Sequence, residues 1–332
     1  MKLRLLAIAA VAAAAVVAAV TAGTAGAAVT CTPTGFVRDS INMTAALINP
    51  SKVSGTVDAT GCNIGVYYGP GSKGQVNKAE IFGANYFGVV NNGGNVNVQN
   101  SNIHNIGEVP FNGSQHGVGI YWAYGSGATG DIGNNSVSQY QKGGIVVNSG
   151  TANVHNNVVT GLGRVDFIAG NGIQMAFGGT GSISNNTVTG NAYTGANNAS
   201  SAGILVFGGC GDPVSTPTVN NNTLVNNDMG VYYVNENDAC TDVPSTPTNG
   251  DIHNNSISND AVTNVSGDGG GIGYQAGIAE FGNGDKIHNN TISGAGYAPM
   301  DPGTAFVRPI DTSGSVNVSS HNNTYNGSPY NG

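Results

Sequence analysis

The sequence predicts an all-β fold of stacked parallel coils, and three observations carry that expectation. The chain has 332 residues with 53 Gly and 45 Asn, so nearly a third of it is the two residue types that most readily accept a positive φ. Beyond residue 28 only Leu47, Leu162, Leu205 and Leu224 represent leucine, while Val and Ile are plentiful; that bias favours short strands over helix bundles. The third observation is internal repetition. An apolar-x-Asn-Asn-x-apolar phrase recurs from Ile132 to Val137, Val154 to Val159, Ile183 to Val188, Val219 to Leu224, Ile252 to Ile257 and Ile287 to Ile292, and a degenerate copy runs from His321 to Tyr325. Charged residues make up 8% of the chain, but 39% apolar content is too much for a disordered one.

The elements follow in chain order. Lys2 and Arg4 precede an apolar run from Leu5 to Val20, and the small residues Ala25, Gly26 and Ala27 follow it. This is the pattern of a secretory signal peptide over residues 1–28, with the mature chain beginning at Ala28 or Val29. The run is shorter than the ~20 residues a spanning helix needs, so no membrane attachment is expected after cleavage. Residues 29–54 read as an N-terminal cap. Within it Arg38 to Leu47 fits a short capping helix, with Asp39 or Ser40 as N-cap, Ile41, Ala45 and Ile48 at helical spacing, and Pro50 as terminator.

Residues 55–325 hold the repeats. The second Asn of each anchor falls at 135, 157, 186, 222, 255, 290 and 323, in steps of 22, 29, 36, 33, 35 and 33 residues. Between anchors a Gly introduces a short apolar strand, as at Gly144 to Val147, Gly172 to Met175, Gly203 to Val206, Gly230 to Tyr233 and Gly277 to Glu280. Weaker copies at Val57, Val76 and Val98 bring the expected total to about ten coils, since a repeat this short buries its apolar face only by stacking on its neighbours. Paired Asn at a fixed position can form a ladder of side-chain amide hydrogen bonds along such a stack. Residues 326–332 are a short polar tail.

These residues, Asn-Asn-x-Ile followed by Gly-Ile, resemble the repeat of the right-handed β-helix superfold that includes the pectate-lyase-like proteins. The resemblance spans roughly residues 55 to 325 and implies a right-handed single-stranded parallel β-helix. The superfold carries lyases, hydrolases, epimerases, adhesins and proteins without chemistry, so it implies no single activity. Pectate lyases hold calcium with clustered Asp residues; no acidic cluster recurs at one repeat position here, and no cofactor is expected.

The mature chain carries 8 basic against 18 acidic residues, a formal charge of −10. Nucleic acid is then excluded as a partner, because its affinity comes from basic side chains on phosphates. Four cysteines in an exported chain predict two disulfides. The segments from Cys210 to Thr218 and from Cys240 to Thr248 are near copies, so they should stack on adjacent coils and pair Cys210 with Cys240, leaving Cys31 for Cys62.

Equal offsets from the anchor locate side chains that should stack. Seven residues beyond Ser101, Asn135, Asn157 and Asn186 stand Glu108, Lys142, Arg164 and Tyr193, with His116 and Asp166 close by. Such a set suits elimination or hydrolysis of an acidic sugar polymer: a cation neutralises the substrate carboxylate, Lys142 or His116 takes a proton, and Tyr193 or Glu108 donates one. The bland alternative is a surface ion-pair ladder. Tyr121 and Trp122 are the candidate stacking surfaces for a sugar ring. His155, His253, His288 and His321 each precede an Asn-Asn anchor, but a row of imidazoles is not a convergent tetrahedron, so no metal is expected. Together these point to a monomeric secreted protein that binds or degrades an extracellular polysaccharide, as a lyase or glycoside hydrolase if it is an enzyme. The competing class is a non-catalytic surface, adhesion or structural solenoid. An enzyme should gather its unusual polar residues on a few coils, and an adhesive solenoid should spread them.

Overall fold

A computed structural model describes residues 29–197, 199–265, 273–300 and 305–332. The predicted signal peptide lies outside them. Among the described residues the chain is all-β, with 28 strands and one short 3-10 turn at Ala295–Tyr297. The sheet is long and mostly parallel, an arrangement consistent with a solenoid, and it resolves into three ladders.

In ladder A, Leu47, Val66, Val89, Ile120, Ile145, Ile173, Ile204, Val231, Ile278 and Ile310 stand in register. Ladder B stacks Val53, Val76, Val98, Ile132, Val154, Ile183, Val219, Ile252, Ile287 and Ser320. Ladder C stacks Val57, Ile81, Ile103, Val137, Val159, Val188, Leu224, Ile257, Ile292 and Tyr325. Apart from exposed Leu47 and polar Ser320 at the two ends, the three columns line one continuous apolar core. β-Branched residues suit it because their stiff side chains pack on a pleated surface with little entropy left to lose.

The Asn pair between ladders B and C divides two tasks. The first Asn takes the left-handed turn, with φ near 55° at Asn134, Asn156, Asn185, Asn221, Asn254, Asn289 and Asn322. The second is buried and forms the ladder. Asn157 Nδ2 donates to Asn186 Oδ1 at 2.9 Å and to the Ile132 carbonyl at 3.0 Å, and the Asn157 backbone N–H donates to the same Asn186 Oδ1 at 3.0 Å. The pattern repeats from Asn135 to Asn323. Every amide donor and acceptor is therefore used, which is the condition under which buried polar groups stabilise a fold.

The Gly of the Gly-Ile phrase has a steric cause. A Cβ on Gly144 would lie 2.5 Å from Val159 Cγ1 and 2.6 Å from the Gly172 carbonyl oxygen. Only a residue without a side chain lets ladder A approach ladder C this closely.

The expected capping helix is corrected. Thr32–Arg38 and Ile41–Ile48 are strands that pair antiparallel. Asp39 and Ser40 both have positive φ, 51° and 62°, the geometry of a two-residue hairpin turn rather than an N-cap. At the other end Thr324–Tyr325 pairs antiparallel with Ser328–Pro329. Asn331 Oδ1 there accepts from the Asn323 backbone N–H at 3.2 Å, so the polar tail supplies the last acceptor of the Asn ladder.

Both disulfides form as paired from the sequence, with Cα separations of 5.3 Å for Cys31 to Cys62 and 4.7 Å for Cys210 to Cys240. Such bridges persist in oxidising compartments. No helix among the described residues is long and apolar enough to cross a membrane.

Candidate functional site

The outer face of ladder A is apolar over two stretches. Strand alternation turns Tyr67, Val90, Tyr121, Val146, Leu205 and Tyr232 outward, and they belong to two apolar patches. One holds Phe87, Tyr121 and Val146 under Phe36 of the N-terminal hairpin. The other groups Ala202, Met229 and Ala276 with Leu205, Tyr232, Tyr274 and Phe281.

Lys142 lines clefts on both sides of the boundary. A cleft of about 260 Å³ is lined by Arg38, Gln115, His116, Tyr121, Lys142, Asn148, Gln174 and Phe177 among others. A second, of about 670 Å³, is lined by Lys142, Asn171, Ser200, Leu205, Tyr232, Tyr274 and Phe306 among others. Lys142 Nζ donates to the Ala169 carbonyl at 2.7 Å. Burial holds its ammonium below the usual lysine pKa, because removing water penalises the charged form.

The turn before ladder A positions the neighbours. His116 Nε2 lies 2.7 Å from Glu108 Oε1, and its ring stacks on Tyr86 at 3.8 Å between centroids. Gln141, which the sequence did not single out, shapes this loop from beneath. It is 1% exposed; its Oε1 accepts from the Glu108 and Asn112 backbone N–H groups, and its Nε2 donates to the Ser114 and His116 carbonyls. The only signal available was its position, directly before Lys142.

The remaining predicted site residues lie elsewhere. Arg164 is ion-paired with Asp260. Asp166 is exposed in the adjoining turn. Tyr193 is buried, and its hydroxyl accepts from the Asn197 backbone N–H at 3.3 Å. The column expected from equal offsets does not hold past Lys142: a register shift between Thr160 and Gly163 sets Arg164 opposite Ala192, and Val165 opposite Tyr193. Trp122 is a correction. It is 0% exposed in the core, because alternation that sends Tyr121 outward sends its neighbour inward. Tyr121 lines the smaller cleft, its ring stacked on Phe87 at 4.6 Å.

Four buried carboxylates among the described residues, Asp228, Glu280, Asp285 and Asp311, also escaped the sequence reading. Burial pushes Asp228 up to about 6 against the opposing hydrogen bonds from Ser201, Tyr193 and Asn264. Glu280 and Asp285 are both 0% exposed, and burial together with the neighbouring Asp285 pushes Glu280 far above the usual carboxylate range. Their register neighbours carry no common signal: Ser201 and Gln275 flank Asp228, Tyr233 stands opposite Glu280, and Gly250 and Val318 flank Asp285.

Comparison with protein-family models, curated proteins and solved structures finds no match.

Proposed function

We propose that the chain is a secreted right-handed single-stranded parallel β-helix of about ten coils that binds and cleaves an anionic extracellular polysaccharide on the outer face of ladder A. The observation that carries this reading is Lys142, a largely buried amine between two clefts lined by Tyr121 on one side and by Tyr232 and Tyr274 on the other. Tyr232 and Tyr274 offer partly exposed aromatic faces to sugar rings, and burial favours the neutral Lys142 amine that a base requires. In β-elimination from a uronate, the Lys142 amine would take the proton beside the carboxylate, and the freed pair would form the ring double bond. The glycosidic C–O bond then breaks, and its oxygen takes a proton from His116, which Glu108 orients. Arg38, which pairs with Asp39 at 3.5 Å in the free chain, would turn to the substrate carboxylate and stabilise the negative charge that develops beside it.

The test incubates purified protein with polyuronides and neutral glycans, following ultraviolet absorbance of unsaturated products, reducing ends and binding together. Polyuronide binding and unsaturated product are expected, both reduced at least tenfold in Lys142→Ala. Arg38→Ala should weaken binding more at low salt than at high. Equal binding of neutral and anionic glycans, or none, overturns the proposal.

A further inference from the structure

The end of ladder B carries a cluster that the cleft does not use. Asp251–His253, Lys286–His288 and Ser319–His321 are consecutive rungs, with His253, His288 and His321 in register. Alternation buries Ile252 and turns Asp251 and His253 to the same outer face. The rings stack at 4.9 Å and 5.2 Å between centroids, with interplanar angles of 7° and 4°. A column of parallel rings does not converge by itself. Asp251 changes that, because its Oδ1 lies 3.0 Å from His253 Nδ1 and 3.1 Å from His288 Nε2.

From this we infer that Asp251, His253 and His288 form a binding site for a divalent transition-metal ion of the zinc class, with water in the fourth position. The three donor atoms all lie within 4.8 Å of one another. Tetrahedral zinc with bonds of about 2.0 to 2.2 Å requires donors roughly 3.3 Å apart. Two of the three edges are thus close to the required length, and the third closes when the two rings, 7° from parallel in the free chain, tilt toward a common ion. Two imidazoles and one carboxylate are a donor set that zinc, nickel and copper accept and that calcium and magnesium do not favour. Side-chain exposures of 19%, 22% and 36% for His253, His288 and Asp251 leave an approach for the ion and its water. An ion here would tie two adjacent coils together.

The fold contains its own control. His155 stands in the same column and pairs with Asp131 at 3.0 Å, but its rung neighbours are Gly133 and Ser184, so it has an acid and no second imidazole.

The experiment titrates untagged protein with Zn(II) against a chromophoric chelator, and with Co(II) for its visible spectrum. One equivalent should bind, and Co(II) should give the intense absorption of a tetrahedral site. His288→Asn and Asp251→Asn should each weaken Zn(II) binding at least tenfold, and His155→Asn should not. Zn(II) should raise the melting temperature of the parent and of His155→Asn, but not that of His288→Asn. Circular dichroism of the metal-free variants checks the fold; if one is disrupted, the Co(II) spectrum of the parent still decides, since weak octahedral absorption refutes the site. Absence of stoichiometric binding, or equal loss in His155→Asn and His288→Asn, overturns the inference.

Discussion

Asn221 and Asn222 are adjacent and chemically identical, yet the fold asks different things of them. Asn221 is exposed with φ 56°, so Asn221→Gly should be nearly neutral and Asn221→Val should cost about 1 to 2 kcal/mol in strain. Asn222 is buried and hydrogen-bonded to Asn186, Asn255 and the Ile183 carbonyl. Asn222→Ala leaves several buried partners unsatisfied and should cost about 3 to 5 kcal/mol. Denaturant unfolding of the two series checks the division; equal costs would refute it. Glu280 gives a pH signature at the same scale. Its pKa in the folded chain is pushed up to about 9, by burial first and then by Asp285. A folded-state pKa above the unfolded one gives stability that is complete below pH ~4.5 and lost as pH rises through the folded value. Stability should therefore fall from pH 5 to pH 9, by up to about 1.4 kcal/mol per unit at the steepest. Glu280→Gln, which keeps an acceptor for the Ser315 hydroxyl, should flatten that slope, and an unchanged slope would assign it to other groups.

At the scale of elements, the Cys210 to Cys240 bridge closes a separation of 30 residues, so Cys210→Ser with Cys240→Ser should cost about 3 to 4 kcal/mol by the chain-entropy estimate. That pairing was legible because two near-copied segments on adjacent coils must stack. The ladders were legible for the same reason: Val, Ile, Asn and Gly recur at positions that one steric environment dictates. The N-terminal hairpin was not, because Ile41, Ala45 and Ile48 fit a helical face while alternation within Ile41–Ile48 buries Met43 and Ala45. Which periodicity wins is settled by the strand that Ile64–Tyr68 offers for pairing, information no local window contains. The candidate site was legible in part for a related reason. Counting from the Asn anchor finds Lys142 and the Glu108 and His116 loop, and fails beyond them because Gly161 and Leu162 stand against the single Gly190 where the register shifts.

For the whole molecule, the described residues place open backbone edges at the two ends of the stack, and one edge strand at each, Ile41–Ile48 and Thr324–Tyr325, is covered by an antiparallel strand. Deleting residues 327–332 removes Ser328–Pro329 and the Asn331 acceptor, uncovering a flat strand edge of the kind that pairs with other chains. Light scattering should then show concentration-dependent association, and a deleted chain that stays monomeric would show that the tail is dispensable. The Asn ladder has a further consequence. Each rung receives its alignment from one neighbour and hands it to the other through a single amide, whatever the length of chain between them, here 22 to 36 residues. Tandem copying of the codons for one coil would insert a rung whose Asn finds both partners at once. Length is therefore heritable in whole coils, and such a gene can grow or shrink without relearning how to fold.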